Sequence, residues 1–505
     1  MTQPDPTPFP LDHVIGRGMD ADPALVLRER TLSYADLRTR VGQLAAWLKA
    51  KVPQQGARVA SWGAKGELTC LLPLAAPRAG LVHVPINPML KRAQVAHIVG
   101  DSGASLLLGT PARLATLEDG DVPAGCMVLE EGEALDASLH CDPLPPSEAD
   151  PQGIAAILYT SGSTGKPKGV VLSHTNLWLG AASVAHYLKI AREDVVLAVL
   201  PLAFDYGQNQ LLSSWYAGAS IVPLDYLMPR DVTKAVAKHG VTTLAAVPPL
   251  WRQLVEVKWE NGVGDSLKRL TNSGGALTPD LIDAMRGTWP QADIYPMYGL
   301  TEAFRSTFLD PELVASHPTS MGTAVPFAEV LVVNEAGEPA EPGEEGELVH
   351  CGPLVAQGYW QDEARTAERF RPAPAHSRYG GTAVWSGDYV KRDADGLLFF
   401  VGRRDAMIKS AGNRISPQEV EDAALATGLV ADAVAFGIPD EKLGQSVHLV
   451  VRGKQDDALP AALKRDLPSF MQPHAIEWRD ALPLNPNGKI DRTALFREIS
   501  ERVAA

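Results

Sequence analysis

A run of small, hydroxyl-bearing and basic residues at Tyr159–Val170 (YTSGSTGKPKGV) is the part of the sequence best suited to chemistry. Its positions include three glycines, four serine or threonine residues and two lysines. Glycines let backbone N–H groups approach a polyphosphate, hydroxyls donate hydrogen bonds to its oxygens, and lysines offset its charge. The spacing is not that of the P-loop NTPases, because two residues separate Gly162 from Gly165 and Lys166 precedes Pro167. Composition alone indicates a polyphosphate loop and leaves open a solvated glycine- and serine-rich turn.

Later segments carry small, acidic or basic residues that could complete a nucleotide site. They are Ser273–Ala276 (SGGA), Tyr298–Glu302 (YGLTE), Ser386–Asp388 (SGD), Gly402–Ile415 (GRRDAMIKSAGNRI) and Pro483–Arg492 (PLNPNGKIDR). A carboxylate such as that of Glu302 needs a bridging cation among phosphates, because like charges otherwise repel each other. Taken singly, each segment is also typical of an ordinary turn or a solvated surface.

In order and spacing, these segments resemble the motifs of the AMP-forming adenylating superfamily. That family includes acyl-CoA synthetases, luciferases and the adenylation domains of peptide synthetases. The resemblance runs from residue 159 to residue 492, and LSYADLRTRVGQLAAWL resembles the first helix of the family. In detail, PLAFDYGQNQLL and MYGLTEAFRSTFLDPE look like acyl-CoA ligases associated with exosortase A systems.

The resemblance implies a two-step reaction on a carboxylic acid. ATP activates the acid as an acyl-adenylate with release of pyrophosphate, and a thiol then takes the acyl group. The cofactors implied are ATP and Mg²⁺, with CoA or the phosphopantetheine of a separate carrier protein as the thiol acceptor.

The resemblance also implies roles for individual residues. Lys489 matches the catalytic lysine, Glu302 is catalytic and holds the metal, and Thr160 completes the catalytic set. Tyr298 stacks on adenine, and Asp388 accepts hydrogen bonds from the ribose hydroxyls. The implied nucleotide-binding residues are Thr160, Ser161, Gly162, Ser163, Thr164, Gly165, Lys166, Lys168, Gly274, Gly275, Ala276, Tyr298, Gly299, Thr301, Asp388 and Arg403.

The acid pocket implied by the same match is polar. Its residues are Phe204, Asp205, Asn209, Ala246, Ser273, Met297 and Arg305. Phe204 takes the place of a histidine of many acyl-CoA synthetases. Phe204 and Asp205 together look like peptide-synthetase adenylation domains, where an aspartate holds the amino group of the substrate. Buried charges are costly without partners, so a plain fatty acid is disfavoured and an α-amino or imino acid is expected. Pairing of Asp205 with Arg305 is the alternative.

Hydrophobic patterning predicts an α/β fold. Buried strands are expected at Ile154–Thr160, Val195–Leu200, Ser220–Leu224 and Thr242–Val247, with helices at Leu177–Leu188 and Asp280–Trp289. This alternation indicates parallel sheets covered by helices. A smaller, β-rich section is expected from about Glu341–Glu347, and a mixed α and β pattern from about Asp405.

The sequence predicts two domains. A large AMP-binding adenylation domain spans residues 1–402, and residues 403–405 form a hinge with Asp405 at the hinge position. A small, mobile α+β domain spans residues 406–505 and carries the catalytic lysine. Lys409 and Gly412 would line the tunnel for the thiol.

Composition restricts the class of protein. The chain has 505 residues and a formal charge of -14, which argues against a nucleic-acid partner. The N-terminus lacks the features of a signal peptide and no apolar run could span a membrane, so a cytoplasmic protein is expected.

Three rival functions remain: a stand-alone amino-acid adenylating enzyme that loads a separate carrier protein, a non-catalytic nucleotide-binding protein, and a luciferase-type oxygenase.

Overall fold

The structure is a computed structural model that describes residues 4–160, 167–403, 406, 408–410, 413–440, 443–467 and 469–504. The strands are β1 (Pro23–Val26), β2 (Thr31–Ser33), β3 (Arg58–Trp62), β4 (Val82–Pro85), β5 (Ala104–Gly109), β6 (Met127–Glu130), β7 (Ile154–Thr160), β8 (Lys168–Ser173), β9 (Val195–Ala198), β10 (Ser220–Pro223), β11 (Thr243–Ala246), β12 (Arg269–Asn272), β13 (Asp293–Tyr298), β14 (Thr307–Phe308), β15 (Ser320–Ala324), β16 (Glu329–Val333), β17 (Glu345–Cys351), β18 (Phe370–Pro372), β19 (Thr382–Arg392), β20 (Leu398–Arg403), β21 (Ile408–Ser410), β22 (Asn413–Ile415), β23 (Asp432–Asp440), β24 (Gly444–Arg452) and β25 (Ala475–Arg479).

The helices cover the faces of these sheets. They are α1 (Tyr34–Lys51), α2 (Glu67–Arg78), α3 (Arg92–Ser102), α4 (Pro111–Leu114), α5 (Glu131–Ser138), α6 (His174–Tyr187), α7 (Asp205–Ala217), α8 (Pro229–His239), α9 (Pro248–Glu256), α10 (Pro279–Thr288), α11 (Glu363–Arg369), α12 (Pro417–Leu425), α13 (Ala458–Asp466) and α14 (Arg492–Ala504). Within the described ranges, no helix combines the length and the apolar character that a membrane span requires.

A first sheet has the strand order β6-β5-β3-β4-β7-β8 and ends at the phosphate-loop segment. Strands β6, β5, β3, β4 and β7 pair in parallel, whereas β7 and β8 are antiparallel. The apolar residues Ile157 and Leu158 of β7 are fully buried, which explains why the run forms a central strand. The carboxyl end of a parallel strand is the edge at which such sheets bind ligands.

The second sheet is larger and has the order β16-β17-β19-β20-β15-β14-β13-β12-β11-β9-β10-β1-β2. Strands β1, β10, β9, β11, β12 and β13 are parallel, and the strands beyond β13 are antiparallel. The β-rich section therefore begins before Glu341, at β14, and continues the main sheet. Sequence texture marks it late because β14 has two residues and β15 contains Gly322.

Helix α6 begins three residues before the predicted start at Leu177. The Ser173 hydroxyl accepts the Asn176 N–H at 3.1 Å, and the Asn176 side chain accepts the Ser173 N–H at 2.9 Å. This reciprocal capping satisfies backbone groups at the helix start, so the polar first turn of α6 is helical.

The C-terminal part folds around its own core. Its sheet has the order β22-β21-β24-β23, with β25 parallel to β24. Ile408, Val420, Leu449 and Leu463 are among the buried residues of one apolar cluster there, which has no member from the N-terminal part. The predicted α/β class, with a large N-terminal and a small C-terminal domain, is confirmed. The boundaries at 402 and 406 stay predictions.

Candidate active site

Strands β7 and β8 form a hairpin, and they place the two ends of the phosphate-loop segment opposite each other. Thr160 ends β7 and pairs in register with Lys168, the first residue of β8. Among the described residues, the buried Thr160 hydroxyl has no hydrogen-bond partner. Such a group is costly unless a ligand satisfies it, so its position suits an oxygen-rich ligand. In this segment, the predicted residues that lie outside the described part of the chain are Ser161, Gly162, Ser163, Thr164, Gly165 and Lys166.

A buried carboxylate lies beside this hairpin. The Lys168 ammonium donates to Glu302 Oε1 at 3.0 Å and to the Tyr359 hydroxyl at 2.6 Å. Tyr359 in turn donates to Glu302 Oε1 at 2.6 Å. Burial alone would raise the pKa of Glu302, but the Lys168 charge and these hydrogen bonds outweigh it and hold the pKa below its usual value. Glu302 is therefore an ionised carboxylate at neutral pH.

Tyr359 is part of this cluster, although sequence reasoning did not identify it. It supports both Glu302 and Lys168, and the Lys168 ammonium also lies 4.1 Å from the centre of the Tyr359 ring. Its local sequence, Gly-Tyr-Trp, is typical of a core segment. One signal in the sequence was that this glycine-containing aromatic run lies within the section predicted to be β-rich.

Tyr298, Asp388 and Arg403 form a second group. Tyr298 ends β13 and donates a hydrogen bond to Asp388 Oδ2. Arg403 Nε lies 3.1 Å from Asp388 Oδ1, and the two residues pair in register between β19 and β20. Burial, with the Asp388 charge adding to it, raises the pKa of Tyr298, so its hydroxyl stays a donor. The structure thus brings together the predicted adenine, ribose and nucleotide contacts.

The turn after β12 lies against Lys489. Gly274 has φ +83°, and a Cβ added there would lie 2.8 Å from Lys489 Nζ. The Lys489 ammonium also lies 4.5 Å from the centre of the Phe204 ring. Gly275 and Ala276 are exposed, and Gly275 O accepts the Asn272 side-chain N–H at 2.8 Å. The predicted catalytic lysine therefore reaches the N-terminal site from the C-terminal domain.

A narrow cavity of about 20 Å³ lies between α6, α7 and strands β9, β11, β12 and β13. Its exposed lining is mostly apolar, and the lining residues include Tyr187, Tyr206, Asn209, Gln210, Thr271, Met297 and Arg305. Three of the predicted pocket residues thus face this cavity. Of the others, Phe204 and Asp205 lie at the start of α7, Ala246 is buried at the end of β11, and Ser273 follows β12.

Two opposite charges are buried close together, and one of them, Arg305, lines this cavity. The exposed fractions of the Arg305 and Asp205 side chains are 2% and 4%, and Arg305 Nη1 lies 3.9 Å from Asp205 Oδ2. That separation is too long for a hydrogen bond. Arg305 Nη1 donates to Ser273 Oγ at 3.2 Å, and Thr301 donates to Asp205 Oδ1 at 3.3 Å. Burial raises the pKa of Asp205, although the charges of Arg305 and Lys489 oppose the rise.

A strained turn sets the direction of Arg305. Phe304 has φ 57° and ψ -58°, and the Arg305 N–H donates to Ala303 O at 2.6 Å, which closes a three-residue turn. Positive φ is unfavourable for a bulky residue, and such outliers cluster at functional sites. Phe304 is fully buried against Gly180, where a Cβ would collide with its ring. Packing therefore holds the turn that aims Arg305 at the cavity.

The predicted hinge and thiol-tunnel residues are only partly covered. Asp405 and Gly412 lie outside the described residues. Lys409 lies in β21, where its backbone pairs with Arg414, and its side chain is outside the description. Their roles stay predictions.

Comparison with known families decides the class of protein. The family of AMP-binding enzymes matches residues 12–360, and the AMP-binding enzyme C-terminal domain matches residues 419–489. The chain belongs to the AMP-binding enzyme family. Both matches lie on the domains that contribute the site described above.

Relatives of this AMP-binding enzyme align over nearly the whole chain. Feruloyl-CoA synthase of Amycolatopsis sp is 32% identical over 467 residues, or 91% of this chain and 92% of that protein. L-proline--[L-prolyl-carrier protein] ligase of Pseudomonas fluorescens is 31% identical over 494 residues, or 94% and 96%. The structure of O-succinylbenzoate coenzyme A synthetase from Bacillus subtilis, in complex with ATP and magnesium ion, has a TM-score of 0.83 at 25% identity and covers 97% of this chain and 99% of its own.

These similarities establish the reaction class of this AMP-binding enzyme. It is an AMP-forming acid–thiol ligase of the acyl-CoA synthetase type, which activates a carboxylic acid with ATP and transfers the acyl group to a thiol. The resemblance to ligases associated with exosortase A systems stays a prediction.

Proposed function

We propose that this ligase activates a small carboxylic acid with a polar group near its carboxylate. The observation that carries the proposal is the buried pair Asp205 and Arg305, which lie 3.9 Å apart and are not hydrogen-bonded to each other, with Arg305 lining the cavity. A substrate with complementary polar groups would satisfy both side chains.

Unpaired polar atoms in the same cavity support this proposal. Within the described part of the chain, Asn209 Oδ1, Gln210 Oε1 and Arg305 Nε are buried without hydrogen-bond partners. Each buried polar group left unsatisfied costs about 1–3 kcal/mol. An alkyl chain would leave these atoms unpaired, whereas a substituent with donors and acceptors would pair them. These unpaired atoms are the reason that we expect a polar acid rather than a fatty acid.

The residues around Thr160, Tyr298 and Asp388 fit ATP. The unpartnered Thr160 hydroxyl lies next to the phosphate loop, and Asp388 presents a buried carboxylate beside the Tyr298 ring. In this proposal Tyr298 stacks on adenine and Asp388 accepts hydrogen bonds from the ribose. Lys168, with Lys166 by sequence, offsets the charge of the departing pyrophosphate.

Glu302 fits a single-carboxylate metal site. It is ionised and lies beside Lys168, and across the described ranges no cluster of three or more His, Cys, Asp or Glu has the arrangement of a metal site. Mg²⁺ binds through one or two carboxylates together with substrate phosphates, so Glu302 would hold it. The ion would supply charge neutralisation for the phosphates.

Lys489 would act where the two substrates meet. A carboxylate oxygen of the acid bonds to the α-phosphorus of ATP, and the bond from that phosphorus to the bridging oxygen breaks to release pyrophosphate. Lys489 lies against Gly274 and near Asp205, so its ammonium would neutralise charge on the reacting oxygens. The thiolate of CoA or of a carrier phosphopantetheine then bonds to the acyl carbon, and AMP leaves.

An amino or imino acid transferred to a carrier protein is the second candidate. The buried Asp205 carboxylate is the predicted pocket residue that could hold an ammonium group by a charge-assisted hydrogen bond. The L-proline ligase relative carries a prolyl-carrier acceptor in its name. An internal Asp205–Arg305 pair remains the competing explanation of that carboxylate.

A screen of pyrophosphate release tests the proposal. Amino and imino acids, hydroxy acids, dicarboxylic acids, aryl acids and unsubstituted fatty acids would be compared, with hydroxamate trapping of the adenylate. We expect the best substrates among the polar acids, and clear preference for unsubstituted medium or long fatty acids would contradict the proposal. CoA and a phosphopantetheine-loaded carrier protein would then be compared as acceptors.

Variants separate the two explanations of Asp205. If Asp205 binds an ammonium group, Asp205→Ala loses most activity with the amino acid and tolerates the desamino analogue relatively better. If Asp205 and Arg305 are only partners, both single variants lower the free energy of unfolding, and the double variant recovers part of it.

A further inference from the structure

Asn87 joins the two domains at the loop that carries Lys489. Asn87 lies in the segment between β4 and α3 and is buried. Its side-chain N–H₂ donates to Pro486 O at 3.1 Å and to Asn487 Oδ1 at 2.9 Å. Both acceptors belong to the C-terminal domain, two and three residues before Lys489.

The orientation of the Asn87 amide is fixed from its own side. Asn87 Oδ1 accepts the Met89 N–H at 2.9 Å, and Asn87 O accepts the Leu90 N–H at 3.0 Å. An amide oxygen occupied in this turn leaves the nitrogen directed at the other domain. Asn87 is therefore a preset donor rather than a freely rotating side chain.

The Lys489 loop is held together by its own hydrogen bonds. Asn485 Oδ1 accepts the N–H groups of Asn487 and Lys489 at 2.9 and 3.1 Å, and Lys489 O accepts the Asn485 N–H at 2.7 Å. A loop closed in this way moves as one unit. A contact at Pro486 or Asn487 thus fixes the backbone from which the Lys489 side chain extends.

We propose that Asn87 is a positioning residue that docks the Lys489 loop in the orientation required for adenylation. The inference rests on the proposed role of Lys489. Asn87 does not touch the site of reaction, and it acts through the loop. When the C-terminal domain turns for thioester formation, these hydrogen bonds break, so Asn87 stabilises one of the two orientations and shifts their populations.

Asn87→Asp tests this role with little change of shape. The aspartate keeps an oxygen for the Met89 N–H and replaces the donor with an acceptor facing Pro486 O and Asn487 Oδ1. We expect pyrophosphate release to fall by roughly tenfold or more, since two hydrogen bonds are lost and acceptors repel. Thioester formation from supplied acyl-adenylate should stay within about twofold. Loss of docking lowers only the first half-reaction, whereas damage to the fold would lower both.

Asn334→Asp is the matched control. Asn334 Oδ1 also accepts the N–H two residues on, at Ala336, and its amide donates to Glu344, so the same chemical change occurs in a similar turn within the N-terminal domain. We expect both half-reactions of this variant to resemble those of the unmodified protein. Equal losses in the two half-reactions of Asn87→Asp, or no loss in either, would overturn the proposal.

Hydrogen–deuterium exchange gives a readout that needs no substrate. Exchange at residues 485–491 should be severalfold faster in Asn87→Asp than in Asn334→Asp or the unmodified protein, because an undocked loop opens more often. Unchanged exchange there would overturn the docking role even if catalysis changed. If the unmodified protein released no pyrophosphate with any acid, the proposed function would fail, while the exchange experiment would still decide whether Asn87 docks the loop.

Discussion

At the residue scale, we propose that Lys489 is a cation needed for only one of the two half-reactions. Its ammonium lies near Phe204 and Gly274. The charge of Asp205 raises the pKa of Lys489, and the charge of Arg305 lowers it. Adenylation places a carboxylate and a phosphate in the same small volume, so a cation there has a direct electrostatic task. Thioester formation displaces AMP and does not bring two anionic reactants together.

Lys489→Ala should therefore separate the half-reactions. We expect pyrophosphate release to fall about a hundredfold or more, and thioester formation from supplied acyl-adenylate to persist. Lys454→Ala, which removes an exposed lysine of the same domain, is the control and should leave both rates unchanged. Equal losses in both half-reactions of Lys489→Ala would refute the assignment.

The pH dependence of adenylation should report the same residue. Burial lowers the pKa of Lys489, Asp205 partly opposes this, and Arg305 adds to it. A lysine needed in its charged form loses function as pH rises through its pKa, so the alkaline fall in kcat/KM should begin below the usual lysine value of about 10.4. The alkaline fall in kcat/KM, which reports ionisation of the free enzyme, should disappear in Lys489→Arg because arginine keeps its charge. Persistence of the fall in that variant would assign it to another group.

The family resemblance predicted part of the candidate site. Glu302, Asp388 and Lys489 were predicted from motifs at family spacing, because each of them taken singly is typical of an ordinary turn or a solvated surface. Tyr359 and Asn87 were not found, because their roles depend on contacts between distant segments. A tyrosine in an apolar run or an asparagine before proline is ordinary in isolation.

At the element scale, the turn after β12 shows how backbone shape admits the lysine. Gly274 combines φ +83° with a surface that faces Lys489. A side chain there would strain the backbone and occupy the path of the lysine. The Lys489 side chain therefore packs directly against the backbone of this turn.

Gly274→Ala should lower the rate of adenylation by more than its loss of unfolding free energy explains. Gly337 is the matched control, since it also has φ +83° but has no atom within 4 Å of an added Cβ. Both alanine variants should lose about 1–2 kcal/mol of unfolding free energy from positive φ. Only Gly274→Ala should also lose pyrophosphate release, by up to about a hundredfold, because Lys489 is displaced. If Gly274→Ala and Gly337→Ala lost equal unfolding free energy and released pyrophosphate at equal rates, the contact between Gly274 and Lys489 would not matter for adenylation.

Elements were predictable where burial alone decides them. β7 matches its predicted span, Ile154–Thr160, because its apolar run is bounded by turn-forming residues. The start of α6 was wrong because Ser173 and Asn176 cap each other, and a polar first turn has no apolar signal. The extension of the main sheet by antiparallel strands depends on long-range pairing, which sequence periodicity does not encode.

At the scale of the whole molecule, polar side chains of the described residues make contacts between the two domains. Arg252 Nε lies 3.4 Å from Asp432 Oδ1, and Asn87 binds the Lys489 loop. Contacts of this kind can break and re-form without disturbing either core. The arrangement therefore suits a small domain that turns between two half-reactions.

Asp405→Pro should block the turn. Asp405 matches the predicted hinge, and proline fixes φ at a position whose backbone angles must change. We expect pyrophosphate exchange to continue while thioester yield collapses. Asp405→Asn, which leaves φ free, is the control and should make thioester normally. Normal thioester yield from the proline variant would remove Asp405 from the hinge role.

The separation of the cores has a consequence for how such an enzyme can diversify. The main N-terminal core draws on residues up to Phe399, and the C-terminal clusters begin at Ile408. The residues predicted to line the acid pocket, from Phe204 to Arg305, all belong to the first unit, and the residues predicted to line the thiol tunnel belong to the second. Substitutions that alter the acid therefore need no compensation in the part that receives the acceptor. Over evolutionary time, the choice of acid and the choice of acceptor can drift independently, with Lys489 as the shared constraint.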